Sequence, residues 1–173
     1  MKNKKLISFI LSLLMMIPLV SCNNKNPLSK EMPDDFSFSL VWSVFGKSSY
    51  NSETGELVKS KFEPEEELYK TTCFLTQEEL LEVYNILLDA NVNRFDEFKD
   101  WEFNSADPAG DYQITISTGA FEKTIKAPYG TYIDDGANSL RANKFIEVME
   151  SIIKIVKNTD EWKAMPDETQ MYF

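Results

Sequence analysis

Histidine is absent from this 173-residue chain, and its absence excludes several kinds of active site. A serine or cysteine nucleophile is ordinarily activated by a histidine base, so hydrolysis of that kind lacks its base here. The sequence also lacks a Gly-x-Ser-x-Gly nucleophile motif. Its six glycines are not clustered, so it has no glycine-rich loop that could cradle phosphate groups.

Metal ligands are equally scarce. Without histidine and with only two cysteines, the chain offers no zinc-type ligand set. It also lacks the calcium-loop spacing, in which Asp or Asn residues alternate and glycine occupies the sixth position. The nearest pattern, Asp134-Asp135-Gly136, is more typical of a turn. We therefore expect no bound metal and no cofactor.

The two cysteines are Cys22 and Cys73, and we expect no disulfide between them. If the Cys22 sulfur carries a lipid, Cys73 is the only thiol and has no partner for an intramolecular bridge. The stretch from Tyr69 to Leu75 reads as a strand, so Cys73 is predicted to be a buried small hydrophobic residue.

Negative charge dominates the composition. The first 21 residues hold three lysines and no acid, so the chain from Cys22 onward has 15 basic and 28 acidic residues, a net charge of −13. Such a surface repels phosphate backbones and anionic lipid headgroups. Nucleic-acid binding is therefore disfavoured, and the partners that remain are neutral, cationic or proteinaceous.

The N-terminus has the layout of a secretory signal. Lysines at positions 2, 4 and 5 precede an apolar run over residues 6–20, which is too short to span a bilayer comfortably. The run ends in Leu19-Val20-Ser21-Cys22, which resembles the lipobox of bacterial lipoproteins. This resemblance implies an exported protein that is cleaved before Cys22, acylated on the Cys22 sulfur, and anchored by its lipid to a bacterial membrane. Two or more acyl chains make such an anchor durable.

These features predict three regions: a signal peptide over residues 1–21, the lipidated cysteine with a flexible tether over residues 22–35, and a single globular domain over residues 36–173. The tether segment is polar and contains two prolines, with no apolar period. As a flexible coil it would place the domain on the order of 20 Å from the bilayer.

Within the domain, alternation of apolar and polar residues predicts strands, and three-and-four spacing predicts helices. A helix should begin after Thr76, because Glu79 completes a capping box, and it should end near Asn91. A second helix should bury one face of apolar residues. The predicted strands cover residues 36–45, 56–62, 68–75, 112–118 and 121–127. The fold class is therefore α+β, with an antiparallel sheet of about five strands and two long helices packed on one face.

Four segments carry a second resemblance: FSFSLVW at 36–42, YNSETG at 50–55, LTQEE at 75–79 and EWKAMP at 161–166. Together they are similar to uncharacterised bacterial lipoprotein domains over most of residues 36–167. This resemblance implies a globular lipoprotein domain, but it carries no activity that could be transferred to this chain.

The candidate binding residues are aromatic and acidic side chains on two predicted loops. Aromatic rings beside carboxylates can stack on sugars or receive cationic side chains. They are Tyr129, Tyr132, Asp134, Asp135 and Trp101. The alternative interpretation is that these rings cover the ends of the core.

The sequence favours a non-catalytic binding or protein-interaction domain of the cell envelope, with a cationic protein or a glycan as partner. Two alternatives stay open: an envelope hydrolase that works through a pair of carboxylates, and an inhibitor or immunity-type lipoprotein. Acidic residues are too abundant for the sequence to single out a catalytic pair.

Overall fold

A computed structural model describes residues 26–43, 47–60, 68–95, 111–128 and 137–166. Within these ranges the chain forms six strands, three α-helices and one short 3₁₀ helix. The strands are β1 (Ser37–Trp42), β2 (Ser48–Asn51), β3 (Glu56–Lys59), β4 (Tyr69–Thr72), β5 (Asp111–Thr118) and β6 (Phe121–Pro128). The helices are α1 (Gln77–Ala90), the 3₁₀ helix Val92–Arg94, α2 (Ala137–Lys157) and α3 (Asp160–Ala164).

The strands form one antiparallel sheet in the order β4-β3-β2-β1-β5-β6. This confirms the predicted α+β class with an antiparallel sheet. The sheet has six strands where about five were expected, because the polar stretch Ser48–Asn51 forms β2. Ser48 and Tyr50 of β2 are buried, so this strand contributes to the core despite its polar sequence.

Alternation in the sequence corresponds to the two faces of the sheet. In β1, Phe38, Leu40 and Trp42 are buried, whereas the residues that alternate with them, Ser37, Ser39 and Val41, are half-buried. The pairing of the strands aligns one buried residue from each of five strands in a row across the sheet. Each residue of this row is at most 1% exposed: Leu57, Tyr50, Leu40, Ile114 and Ile125. Burying each of these large side chains contributes about 1.5 to 3 kcal/mol to stability.

Helix α1 begins with the predicted capping box. The Thr76 hydroxyl accepts a hydrogen bond from the Glu79 backbone N–H, and the Glu79 carboxylate accepts one from the Thr76 backbone N–H at 2.8 Å. The helix ends at Asn91, which adopts the left-handed conformation (φ 53°). Asparagine tolerates this conformation better than most residues, so the end of the helix follows from its sequence.

Helix α2 buries the predicted apolar face. Phe145, Met149, Ile152 and Val156 are fully buried, and Val148 is 4% exposed. The Phe95 ring lies edge-on to Phe145, with 5.5 Å between centroids. Buried residues of the sheet, α1 and α2 belong to one hydrophobic cluster, so the described residues share one core.

Helix α3 has only five residues, so its stability depends on contacts with the rest of the domain. The Thr159 hydroxyl caps it by accepting a hydrogen bond from the Trp162 N–H. Trp162 and Met165 are buried, and the Trp162 ring lies against Trp42 with 5.5 Å between centroids. The C-terminal segment therefore packs onto the sheet as far as Met165.

Residues 26–35 differ from the flexible tether that was expected over 22–35. Leu28 belongs to the hydrophobic core and is 6% exposed, and Met32 packs against the same core. A single leucine in a polar segment has no periodicity, so the sequence pattern did not indicate that it would be buried. This part of the segment lies on the domain.

Candidate functional site

The residues that the sequence singled out lie outside the described ranges. This applies to Tyr129, Tyr132, Asp134, Asp135 and Trp101, and also to the proposed lipid attachment residue Cys22. Their roles stay predictions. The candidate site described here is a groove that the sequence analysis did not identify.

The groove lies between α1 and α2 and has a volume of about 510 Å³. On each helix most of the lining residues are three or four positions apart, so they lie on one side of the helix. These two sides border the groove. The lining residues are Glu79, Glu82 and Ile86 from α1, and Ser151, Lys154, Ile155 and Asn158 from α2 and its end.

The two sides that line the groove border the buried faces of their helices. In α1, Val83 and Leu87 are buried beside Glu82 and Ile86, and in α2, Ile152 and Val156 are buried beside Ser151 and Ile155. The groove is therefore the seam where two amphipathic helices meet. Its lining could not be identified from either helix alone, because it requires the two helices to be paired.

Several polar groups of the groove already have partners. One oxygen of Glu79 accepts hydrogen bonds from the backbone N–H and the hydroxyl of Thr76, both at 2.8 Å. The Ser151 hydroxyl donates to the Glu147 carbonyl at 2.7 Å. Glu82 and Lys154 are exposed, and Ile86 is half-buried. The groove thus offers charges of both signs beside apolar surface.

A buried thiol lies close to the groove. Cys73 is 2% exposed, and its Sγ donates to Glu161 Oε2 at 3.4 Å. Burial raises the pKa of Cys73, a hydrogen bond with Thr159 opposes this increase, and the Glu161 and Glu79 carboxylates add to it. A thiol held protonated is a poor nucleophile. The predicted role of Cys73 as a buried small residue agrees with this environment.

Tyr50 belongs to the same group of titratable side chains. Its hydroxyl accepts a hydrogen bond from the Leu75 N–H at 3.4 Å. Burial raises the pKa of Tyr50 to about 12, and the Leu75 hydrogen bond opposes this shift, while Cys73, Glu79 and Glu161 add to it by charge repulsion. Glu79 therefore contributes to the raised pKa of both Cys73 and Tyr50, and it also lines the groove.

Two lysines flank the ring of Trp162. Lys59 Nζ lies 5.0 Å from the ring centroid and Lys157 Nζ lies 5.4 Å from it, within cation–π range. Lys59 is 4% exposed and donates to the Met165 carbonyl at 3.3 Å. These contacts hold α3 in place, and α3 in turn positions Glu161 beside Cys73.

In the part of the chain that the structure describes, His, Cys, Asp and Glu side chains form no group of three that could hold a metal ion. Across the same residues, none of the helices has the length and apolar character needed to cross a membrane.

The sequence matches no protein-family model, and no curated protein matches it significantly. Function must therefore be argued from the residues of this chain.

Proposed function

We propose that this chain is an exported bacterial lipoprotein, anchored to a membrane through lipid on Cys22, whose domain binds a cationic protein without catalysing a reaction. The lipobox-like Leu19-Val20-Ser21-Cys22 supports the anchor. The net charge of −13 from Cys22 onward supports a cationic partner, since charge complementarity accelerates association and selects partners.

We also infer that α1 and α2 cover the same face of the sheet. In β1, β5 and β6 the buried residues of each strand fall on one parity, and they share a cluster with the buried residues of both helices. On the other parity, Thr115 and Thr124 face each other across β5 and β6, and their hydroxyl oxygens lie 2.9 Å apart. This arrangement leaves the outer surfaces of the helices, and the groove between them, available to a partner.

The observation that carries the proposal is the mixed lining of the groove between α1 and α2. The Glu82 carboxylate suits a lysine or arginine side chain, and Ile86 and Ile155 suit the methylene or aliphatic portion of a peptide. Sugar binding ordinarily uses aromatic platforms, and none of the lining residues is aromatic. A cationic polypeptide therefore fits this groove better than a glycan does.

The environment of the acidic and thiol groups favours binding over catalysis. The Glu79 carboxylate is engaged at the start of α1, where it accepts two hydrogen bonds from Thr76. The Cys73 thiol is buried and its pKa is raised, so it is not poised for nucleophilic attack. The Glu79 carboxylate and the Cys73 thiol thus have structural roles near the groove.

The experiment compares peptide binding by the full-length, vesicle-anchored chain and two charge-reversal variants. The probe is a short peptide of alternating lysine and leucine, and the variants are Glu82→Lys in the groove and Glu122→Lys on the exposed face of β6. Both substitutions change the net charge equally. We expect Glu82→Lys to weaken binding about tenfold, equivalent to about 1.4 kcal/mol, and Glu122→Lys to weaken it much less.

Equal losses in the two variants would show that net charge, and not the groove, attracts the peptide. Retention of full affinity by Glu82→Lys would remove the groove as the binding site. Raising the salt concentration should weaken binding to the unmodified chain, because Glu82 is exposed to solvent and its charge is screened by salt.

A further inference from the structure

The segment that follows the proposed lipid attachment site is fastened to the C-terminal half of α1. The Asn26 side-chain amide donates to the Leu88 carbonyl at 2.6 Å, and the Asn26 side-chain oxygen accepts from the Leu28 N–H at 3.2 Å. Leu28 is buried in the core. The chain is therefore tied to the domain from its first described residue onward.

Tyr84 of α1 fastens the same segment further along. Its hydroxyl donates to the Ser29 carbonyl at 2.9 Å and lies 3.3 Å from the Glu31 carbonyl oxygen. The Tyr84 ring is fully buried and lies edge-on to Phe36, with 4.9 Å between centroids. Residues 26–36, which we call the strap, are thus held by hydrogen bonds and by core packing.

The strap shortens the connection to the membrane. Only three residues separate Cys22 from Asn26. Covalent geometry limits four residue steps to about 14 Å, whatever their conformation. If residues 22–35 were a free coil, the domain would instead lie on the order of 20 Å from the bilayer and could turn in any direction.

We propose that the C-terminal end of α1, with the strap and the 3₁₀ helix, is a membrane-facing surface that lies directly against the lipid headgroups. This orientation rests on the proposed acylation of Cys22. The end of the groove at Glu79 and Asn158 then lies farther from the bilayer than the end at Ile86. The domain has a defined orientation on the membrane, because the chain is fixed to the folded domain from Asn26, four residues after the proposed attachment point.

The groove runs along α1 from Glu79 to Ile86. Glu79 lies nine residues before Leu88, which corresponds to about 14 Å along α1, whereas Ile86 lies two residues before Leu88. Strand β1 starts where the strap ends and runs to Trp42, which contacts Trp162 a few residues beyond groove residue Asn158. The end of the groove at Glu79 and Asn158 is therefore the end farther from the strap.

Local charge does not drive the contact with the membrane. Lys30 and Arg94 are exposed at this end of the molecule, and four exposed acidic residues lie with them: Glu31, Asp34, Asp35 and Asp89. A surface with a net negative charge gains no attraction to anionic headgroups. The covalent anchor, and not a basic patch, therefore accounts for the contact.

The test uses the full-length acylated chain in vesicles that contain a lipid with a nitroxide on its headgroup. An environment-insensitive fluorophore is attached to Asp89→Cys or to Glu78→Cys, which are exposed acidic positions at opposite ends of α1. Cys73 is 2% exposed and should react little with the label. The two label positions are separated by about 16 Å along the helix, and quenching by a nitroxide is short-ranged, so we expect about threefold stronger quenching at residue 89.

A matched control lengthens the connection. Inserting 20 glycine and serine residues between Asn24 and Lys25 adds a coil of about 25 Å and should reduce the quenching at residue 89 to that at residue 78. Equal quenching at the two positions, or a difference that persists after the insertion, would overturn the proposed orientation. Mass spectrometry of the Cys22 peptide separates the two proposals: an acylated chain with equal quenching refutes the orientation alone, whereas a chain without acyl groups refutes both.

Discussion

The Asp35 carboxylate accepts a hydrogen bond from the backbone N–H of Gly119, with 2.8 Å between Oδ2 and N. This bond joins the strap to the turn between β5 and β6, across 84 positions of the sequence. A methyl group on residue 119 would lie 2.3 Å from the same oxygen. A side chain at residue 119 would therefore displace the Asp35 carboxylate and break this long-range hydrogen bond.

Gly119→Ala should destabilise the domain by about 1 kcal/mol, because the added carbon displaces the Asp35 carboxylate and breaks its hydrogen bond. Asp35→Ala removes the obstructing oxygen. In that background, Gly119→Ala should therefore cost less than half as much, which is the non-additivity expected of residues in contact. Denaturant unfolding of the two single variants and the double variant measures this coupling. Simple additivity would show that the turn itself, and not Asp35, requires glycine.

Thr76→Ala and Ile152→Ala test local and core contributions to stability. Thr76→Ala removes the cap and half of the capping box of α1, at a cost of about 1 kcal/mol. Ile152 is fully buried on α2, so truncating it to alanine should cost about 2 to 5 kcal/mol. Glu150→Ala, on the exposed side of α2, serves as the control and should change the unfolding midpoint little. A larger loss for Thr76→Ala than for Ile152→Ala would contradict the assigned face of α2.

Stability should fall at alkaline pH. Burial raises the pKa of Tyr50 from 10.0 to about 12, so between these values the unfolded chain releases a proton that the folded chain retains. The folded state therefore loses stability as pH rises through this window, by at most about 1.4 kcal/mol per pH unit for one proton. Tyr50→Phe should flatten the decline. Unfolding measured from pH 9 to 12 in both proteins gives the difference, and parallel curves would contradict the shift.

Cys22→Ala should abolish incorporation of labelled palmitate into the full-length chain, because Cys22 is the proposed acylation site. Cys73→Ala provides the matched control and should leave incorporation unchanged, since the Cys73 thiol is buried inside the domain. Gel fluorography of the two variants, expressed in a bacterial host, reports the result. Continued labelling of Cys22→Ala would refute the lipoprotein assignment.

The predicted loop residues can be tested together. Replacing Tyr129, Tyr132, Asp134 and Asp135 with alanine should lower affinity for a cationic protein or a glycan if these residues bind the partner, while the thermal unfolding transition changes little. If the rings instead cover the ends of the core, the transition itself should be lost. Calorimetry and binding titration of the same variant distinguish the two roles. Undiminished affinity would leave the groove between α1 and α2 as the remaining candidate.

Local patterns in the sequence determined much of the fold. Strand alternation, the capping box at Thr76 and Glu79, the hairpin of β5 and β6, and the apolar face of α2 all depend on residues within a few positions of each other. Their physical causes are helix geometry, strand pleating and backbone capping, which act over one or two turns. For this reason the α+β class could be predicted without a structure.

Tertiary structure alone decided the burial of Leu28, the pairing of β2, the groove, and the contact between Cys73 and Glu161. None of these has a local signal: Leu28 stands in a polar segment, β2 is short and polar, and the thiol and carboxylate are 88 residues apart. Each depends on which surfaces meet when the sheet and helices bury their apolar faces together. That choice is made by the packing of the whole core, because an isolated side chain gains its stabilisation only from neighbours that are distant in sequence.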